Sequence, residues 1–251
     1  MFSELDNGSA NLQEARRKID IYRQSVLKKA FEGELTNPCR YEIDMRKHPK
    51  GWKFIKMGNI AKIGTGATPK RGHKAYWENG TVPWVTSGAV NNPYVTSAEE
   101  YITNRALQET NCKIALPGSL LVAMYGEGKT RGKCSELKIE AATNQAIAII
   151  TLENEAVMLK SYLKWFFIMN YENIRLLSSG GVQPNLNLSI IKNTSIPLPE
   201  TLEEQTQIVQ EIESRLSVCD KLIETIDTSL KQAEALRQSI LKKAFEGGAC
   251  C

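Results

Sequence analysis

The sequence predicts an α+β fold in which a mixed α/β middle is flanked by a short N-terminal helix and a long C-terminal coiled-coil helix. A twelve-residue block occurs twice, as Tyr22-Arg-Gln-Ser-Val-Leu-Lys-Lys-Ala-Phe-Glu-Gly33 and as Leu236-Arg-Gln-Ser-Ile-Leu-Lys-Lys-Ala-Phe-Glu-Gly247, with ten identical positions. Two copies 214 residues apart are too few and too distant for a solenoid. They read as one docking element placed at each end of a domain. Beyond Pro199, apolar residues recur at alternating spacings of four and three, which is a coiled-coil seam. In the middle, Gly, Pro, Thr and Asn punctuate short apolar runs, as in strands joined by polar turns. The boundaries so drawn are 1–36, 37–200 and 201–251.

Taken in order, the first element is a helix over about 10–32 that stops at Gly33. Its seam holds Leu12, Ile19, Val26 and Ala30, interrupted by Arg16 and Arg23. Strands follow at Gly58–Ile63, Val82–Val85, Ser119–Tyr125 and Ala146–Leu152, then one helix over Ala156–Leu177. The last helix runs over about 202–246 and opens on Thr201 with Glu204 three residues on, a capping-box pattern. Its seam is Ile212, Leu216, Cys219, Ile223, Ile226, Leu230, Ala233, Ile240 and Ala244, broken by Arg237, and Gly247-Gly248 stops it. This narrow stripe favours pairing with another helix over packing on the chain's own domain.

Composition narrows the function. No apolar run approaches the roughly 18 residues of a membrane helix. The start, Met-Phe-Ser-Glu-Leu-Asp, lacks the basic and apolar stretches of a secretory signal. Six cysteines without Cys-x-x-Cys spacing, and only His48 and His73, form no zinc pattern and suit a reducing cytoplasm. The net charge of +4 is unevenly divided: residues 37–200 hold 20 Lys/Arg against 13 Asp/Glu, the flanks 12 against 15. Such a basic middle fits a nucleic-acid-facing body, though a solvated face carries similar excesses. Charge in flexible turns nominates two nucleic-acid-contacting groups, Lys70, Arg71, His73 and Lys74, then Lys129, Arg131 and Lys133. Tyr76, Trp77, Trp84 and Tyr94 interleave with the first, and the two tryptophans read better as core anchors than as base-stacking platforms.

Two patterns mimic enzymes. Ala123-x-x-x-x-Gly128-Lys129-Thr130 matches a relaxed phosphate loop, but Arg131-Gly132-Lys133-Cys134 is a poor helix start and no metal-holding aspartate strand follows. Asn91-Asn92-Pro93-Tyr94 is similar to an amino-methyltransferase loop lacking one proline, and no glycine-rich loop for a methyl donor accompanies it. Paired carboxylates and nucleophile–base arrangements are absent from the pattern, so the chain reads as non-catalytic. A phosphate-loop NTPase and a structural coiled-coil adaptor without sequence readout are the alternatives.

The ordered motifs resemble the specificity subunit of type I restriction–modification enzymes along essentially the whole chain. Trp52, Gly58, Ile60, Ile63, Gly66, Thr68 and Pro69 look like the opening of that family's target-recognition domain. Tyr76-Trp77, Pro83-Trp84-Val85, Gly118-Ser-Leu-Leu-Val122, Gly128-Lys129 and Thr143-Asn-Gln-Ala-Ile147 follow in the family's order. Ser179-Gly-Gly-Val-Gln-Pro-Asn185, Ile196-Pro-Leu-Pro199 and Glu204-Gln205 then lead into the long helix. Family members carry two recognition domains, so the chain looks like a half-subunit. The resemblance implies recognition of double-stranded DNA on behalf of separate methyltransferase (modification) and restriction subunits. S-adenosylmethionine, ATP and magnesium are expected only on those partners, and no cofactor or membrane on this chain. It also implies a spacer role for the long helix, with the seam residues serving homodimerisation that reads an interrupted palindrome.

Overall fold

The computed structural model describes residues 2–36, 51–126, 128–152, 159–177 and 185–245. Cys39, His48, the proposed helix start at Ala156, Ser179–Pro184, Gly247-Gly248, Cys250 and Cys251 lie outside the described residues. The chain divides into a helical unit, Met1–Tyr41 with Gln207–Cys251, and a body, Glu42–Thr206.

In the helical unit, α1 (Phe2–Phe31) and α6 (Leu202–Phe245) run antiparallel. At 1.5 Å per residue, the 44 residues of α6 extend about 66 Å. Gly33 adopts φ 76° and ends α1, donating to the Ala30 carbonyl at 3.3 Å, while Glu34 N–H donates to the Lys29 carbonyl at 2.9 Å. That pair of bonds is a Schellman closure, which needs the left-handed residue glycine supplies. Three ion pairs set the register: Asp6–Arg237 at 3.1 Å, Arg16–Asp227 and Arg23–Asp220. Along α1 the members advance by ten residues and then seven; along α6 they retreat by the same ten and seven.

This register corrects two expectations. The helix begins at Phe2, eight residues before the predicted start, because Leu5 and Asp6 have partners on α6: Leu5 lines a groove with Leu230 and Ala233, and Asp6 pairs with Arg237. Those contacts offset the roughly 1 kcal/mol that Gly8 costs inside a helix. The arginines are not breaks in the seam either. Arg16, Arg23 and Arg237 each pair with an aspartate that directly follows an apolar seam residue of the other helix, Ile226, Cys219 and Leu5. On α6 the seam residues Ile212, Leu216, Cys219 and Ile226 are buried and Ile223, Leu230, Ala233 and Ile240 half-buried.

Among the described residues the body is built on three sheets. A five-stranded sheet has the order β2-β10-β7-β8-β4, with β2 (Ala61–Thr65), β10 (Ile147–Leu152), β7 (Leu120–Ala123), β8 (Cys134–Leu137) and β4 (Tyr94–Val95). Four of the six β10 residues and all of β7 are buried, as continuous apolar runs at a sheet centre require. A four-stranded sheet has the order β5-β3-β9-β6, with β5 (Glu100–Ile102), β3 (Val82–Val85), β9 (Ala141–Thr143) and β6 (Ile114–Ala115). Its core gathers Trp84, Ile102, Ala106, Cys112 and Ala142, so Trp84 is the anchor its sequence context suggested. The third sheet pairs β1 (Lys53–Lys56) antiparallel with β11 (Ser195–Leu198), clasping the first and last strands of the body.

Short helices complete it: α2 (Asn104–Glu109), α3 (Lys160–Met169), α4 (Tyr171–Leu176) and α5 (Leu188–Asn193). The single helix expected before residue 177 is two, broken at Asn170, whose φ of −83° and ψ of 8° leave the helical region. Its side-chain oxygen accepts from Asn173 Nδ2 at 2.9 Å, offering local bonding that competes with helix continuation. Gly58 falls in a 3₁₀ turn over Met57–Asn59 rather than in a strand. At the start of α6, Thr201 accepts from Glu204 N–H at 3.2 Å, while the Glu204 carboxylate accepts from Trp52 Nε1 at 3.3 Å.

One glycine decides how closely the sheets are stitched. A Cβ on Gly66 would stand 1.9 Å from the Thr143 carbonyl oxygen, whereas one on Gly72 would meet nothing within 4 Å. Gly66→Ala is expected to destabilise the body by about 2 kcal/mol or more, and Gly72→Ala by less than about 0.5 kcal/mol, in thermal denaturation of the full chain.

Candidate nucleic-acid interface

The two basic segments predicted from sequence follow stretches that bond to one short turn, Asn144-Gln145-Ala146 between β9 and β10, and to Thr143 at the end of β9. On one side, Ala67 N–H donates to the Thr143 carbonyl at 2.9 Å and Thr68 Oγ1 bonds Gln145 Oε1 at 2.5 Å. Thr65 Oγ1 adds a bond to the Gln145 carbonyl at 3.1 Å. On the other side, Met124 and Tyr125 donate their N–H groups to the Ala146 carbonyl at 2.8 and 3.3 Å. Within the turn, Asn144 Oδ1 accepts from Ala146 N–H at 3.1 Å, and Asn144 N–H donates to Val85. The roots of both basic segments, residues 65–68 at the end of β2 and Met124-Tyr125 after β7 of the same five-stranded sheet, are thereby held to one turn.

The individual cations differ in what they can offer. The Arg71 guanidinium makes a bidentate pair with Glu100 at 2.7 and 2.8 Å and lies 4.0 Å from the Trp77 ring centre. Hydrogen bonding from Arg71 holds the Glu100 carboxyl below its ordinary value. Arg71 therefore braces the loop, and Trp77 is half-buried with its indole N–H on the Lys70 carbonyl at 3.2 Å. His73 is half-buried and stacked on Tyr76 at 4.1 Å. Lys74 is exposed and pairs with Glu78 at 3.4 Å, a surface contact easily exchanged for a phosphate. Lys70 and Lys129 are exposed, with their ammonium groups directed by no ion pair among the described residues. The second loop is braced from α4, where Tyr171 donates its hydroxyl to the Lys129 carbonyl at 2.6 Å, and by Thr130 on Asn91 at 3.2 Å. Arg131 and Lys133 are half-buried. Gly128-Lys129-Thr130 leads through Gly132 into the strand β8, not into a helix, so it lacks the N-terminal dipole a phosphate loop requires.

Sequence reasoning missed a third charged cluster. Glu136 on β8 is buried, and the ammonium groups of Lys138, Lys160 and Lys164 stand 2.8, 3.0 and 4.0 Å from its carboxylate. Lys164 is itself buried, 3.5 Å from the Tyr94 ring centre. The signal was faint, because Glu136 lies outside every strand the sequence predicts and Lys160 and Lys164 are only four residues apart on a predicted helix. Burial raises the Glu136 carboxyl, but its hydrogen bonds from Lys138 and Lys160 outweigh this and hold it below its ordinary value. Neighbouring Cys134 is buried, which pushes its thiol up to about 12 and leaves it inert at neutral pH.

The body thus carries exposed lysines on loops rooted at one turn, and in chain order it lies between two paired helices. The chain belongs to the type I restriction modification DNA specificity domain family, whose match covers residues 49–232. It is 30% identical over 206 residues to the type I restriction enzyme MjaIX specificity subunit of Methanocaldococcus jannaschii, covering 80% of this chain and 44% of that one. To the EcoR124I/EcoR124II specificity subunit of Escherichia coli it is 24% identical over 233 residues, covering 92% and 52%. The fold matches the HsdS subunit of Thermoanaerobacter tengcongensis with a TM-score of 0.64 at 20% identity, over 98% of this chain and 55% of that one. A chain from a type I R-M system assembly matches at 0.67 and 18%, over 97% and 57%. The chain thus spans about half the length of the curated relatives it matches.

Because its carboxyl titrates lower in the folded chain than in the unfolded one, Glu136 contributes stability above its unfolded value. That contribution is lost as pH falls through the folded one. Glu136→Gln should cost about 3 kcal/mol near neutrality, leaving Lys164 buried without its anion. The variant should also flatten the acid limb of stability against pH in urea titrations run from neutral to acidic buffer.

Proposed function

We propose that this chain is the non-catalytic, sequence-reading subunit of a type I restriction–modification system. The body would read a short base sequence in double-stranded DNA, and two copies paired through their long helices would read a bipartite target. The observation that carries the reading is the family match across the body and into α6, together with two basic loops held at one turn. Lys70, Lys74 and Lys129 would supply phosphate contacts, while Arg71 acts through the loop it braces. Base readout would come from side chains on the same loops. A methyltransferase subunit and a restriction subunit would perform the chemistry, with S-adenosylmethionine, ATP and magnesium bound there, in the cytoplasm. The phosphate-loop reading lacks its helix, and a purely structural adaptor leaves the basic edge unexplained.

Homodimerisation is part of this reading because the twelve-residue block recurs at both ends of the body, giving it equivalent helical elements through which two copies can pair. A two-fold pair of equivalent bodies would face an interrupted palindrome, each body over one half-site. Adenine-methylation mapping in cells expressing this chain with a cognate modification subunit should reveal an interrupted palindrome. An asymmetric bipartite site would replace the homodimer by a mixed pair, and no new methylated sequence would overturn the reading. Lys70→Ala and Lys129→Ala in the assembled methyltransferase should weaken binding to all sequences alike. Each should reduce the slope of log affinity against log salt by about one.

A further inference from the structure

The repeated block is buried in one copy and uncovered in the other. In α1, Leu27 and Phe31 are 2% exposed; their counterparts in α6, Leu241 and Phe245, are 39% and 87% exposed. The equivalence extends past the block, since a step of 214 residues also carries Asp6 onto Asp220, Leu12 onto Ile226 and Arg23 onto Arg237. Asp6–Arg237 and Arg23–Asp220 are therefore two versions of one pair, each built from an α1 residue and the α6 counterpart of the other pair's α1 residue. On α6, then, α1 occupies the place that a second α6 would occupy.

We infer that α1 and the α6 of a second copy are alternative occupants of the same α6 seam, and that dimerisation exchanges the first for the second. This rests on the homodimer reading above and specifies how the pair forms. With each α1 residue replaced by its counterpart, Arg237 meets Asp220 of the partner subunit, and Asp220 meets Arg237 of the partner subunit. The arrangement is two-fold symmetric without further adjustment. The exchange also improves the seam. The counterpart of Arg16 is Leu230, so an aliphatic side chain from the partner subunit comes level with Ile226 in place of a guanidinium. Gly8 lies within one residue of Leu236 in this register, and a Cβ there would meet nothing within 4 Å. Leu236 is accordingly 51% exposed and Leu222 49%. In the exchanged pair Leu222 of the partner subunit takes the place of Gly8, and the two exposed leucines cover each other. The block at the end of α6 replaces its buried twin, Val26 by Ile240, Leu27 by Leu241 and Phe31 by Phe245. The α1 helix is thus an internal competitor that keeps α6 paired until a second copy arrives.

Four full-length forms, compared by sedimentation equilibrium, test this: wild type, Asp6→Lys/Arg23→Glu, Asp220→Arg/Arg237→Asp, and all four substitutions together. Reversing only the α1 charges repels α1 and leaves an α6–α6 pair intact, so the dimer should tighten roughly tenfold. Swapping the two α6 charges repels α1 yet keeps opposite charges facing across the α6–α6 pair, so it should tighten as well. Combining the sets restores attraction between α1 and α6 and should return the dissociation constant to near the wild-type value. A dimer that neither double variant tightens overturns the exchange while leaving the homodimer reading in place. A chain that stays monomeric in all four forms overturns both.

Discussion

The approach of Gly66 to Thr143 is the constraint on which the turn between β9 and β10, and the loops rooted on it, depend. A backbone carbonyl of one sheet enters the space a side chain would fill at the end of β2, the edge strand of the other. From that contact follow the bond of Ala67 to Thr143 and the clasp of Thr65 and Thr68 on Gln145. The turn they hold also anchors the loop after β7, through Ala146. One close approach thus ties the roots of two basic segments, distant in sequence, to a single turn, and it does so with neutral groups.

Charge in the body is used in two ways that its net excess conceals. Some cations are held in place: Arg71 by Glu100 and Trp77, and Lys138, Lys160 and Lys164 around Glu136. These have given up their freedom for geometry, and a buried carboxylate stabilises the ammonium groups around it only while it stays ionised. Others stand in solvent on braced backbone. The division matters for recognition, because a phosphate contact asks for a mobile charge, whereas base readout asks for a rigid frame from which short side chains reach.

The helical unit answers a question its seam posed. Arginines at coiled-coil core positions are costly alone, yet each has an aspartate beside an apolar seam residue of the other helix, so charge specifies the register that apolar layers only permit. Antiparallel Leu and Ile layers tolerate a slip of one heptad, and such a slip would still set Arg16 opposite Asp220 or Arg23 opposite Asp227; the Asp6–Arg237 pair, offset by ten residues, is the one it breaks. The same register, read through the internal repeat, makes an intramolecular helix and a second copy's helix interchangeable. Pairing strength and pairing partner are then separate properties of α6.

Much of this protein was legible in its residues. The long helix, its seam, the Gly33 stop and the strands at 82–85 and 147–152 follow from local periodicity and turn chemistry, which act over a few residues and leave their mark in the sequence. The ordered motifs from Trp52 to Gln205 pointed to the family, and the repeat announced equivalent ends. The tertiary structure alone decided the rest. It extended α1 back to Phe2, because α6 contacts outweigh the local cost of Gly8, and broke the helix at Asn170. It sorted braced cations from free ones and buried Glu136 among three lysines. Those outcomes depend on which groups meet across tens or hundreds of residues, and such pairings are set by packing and register that no local pattern records.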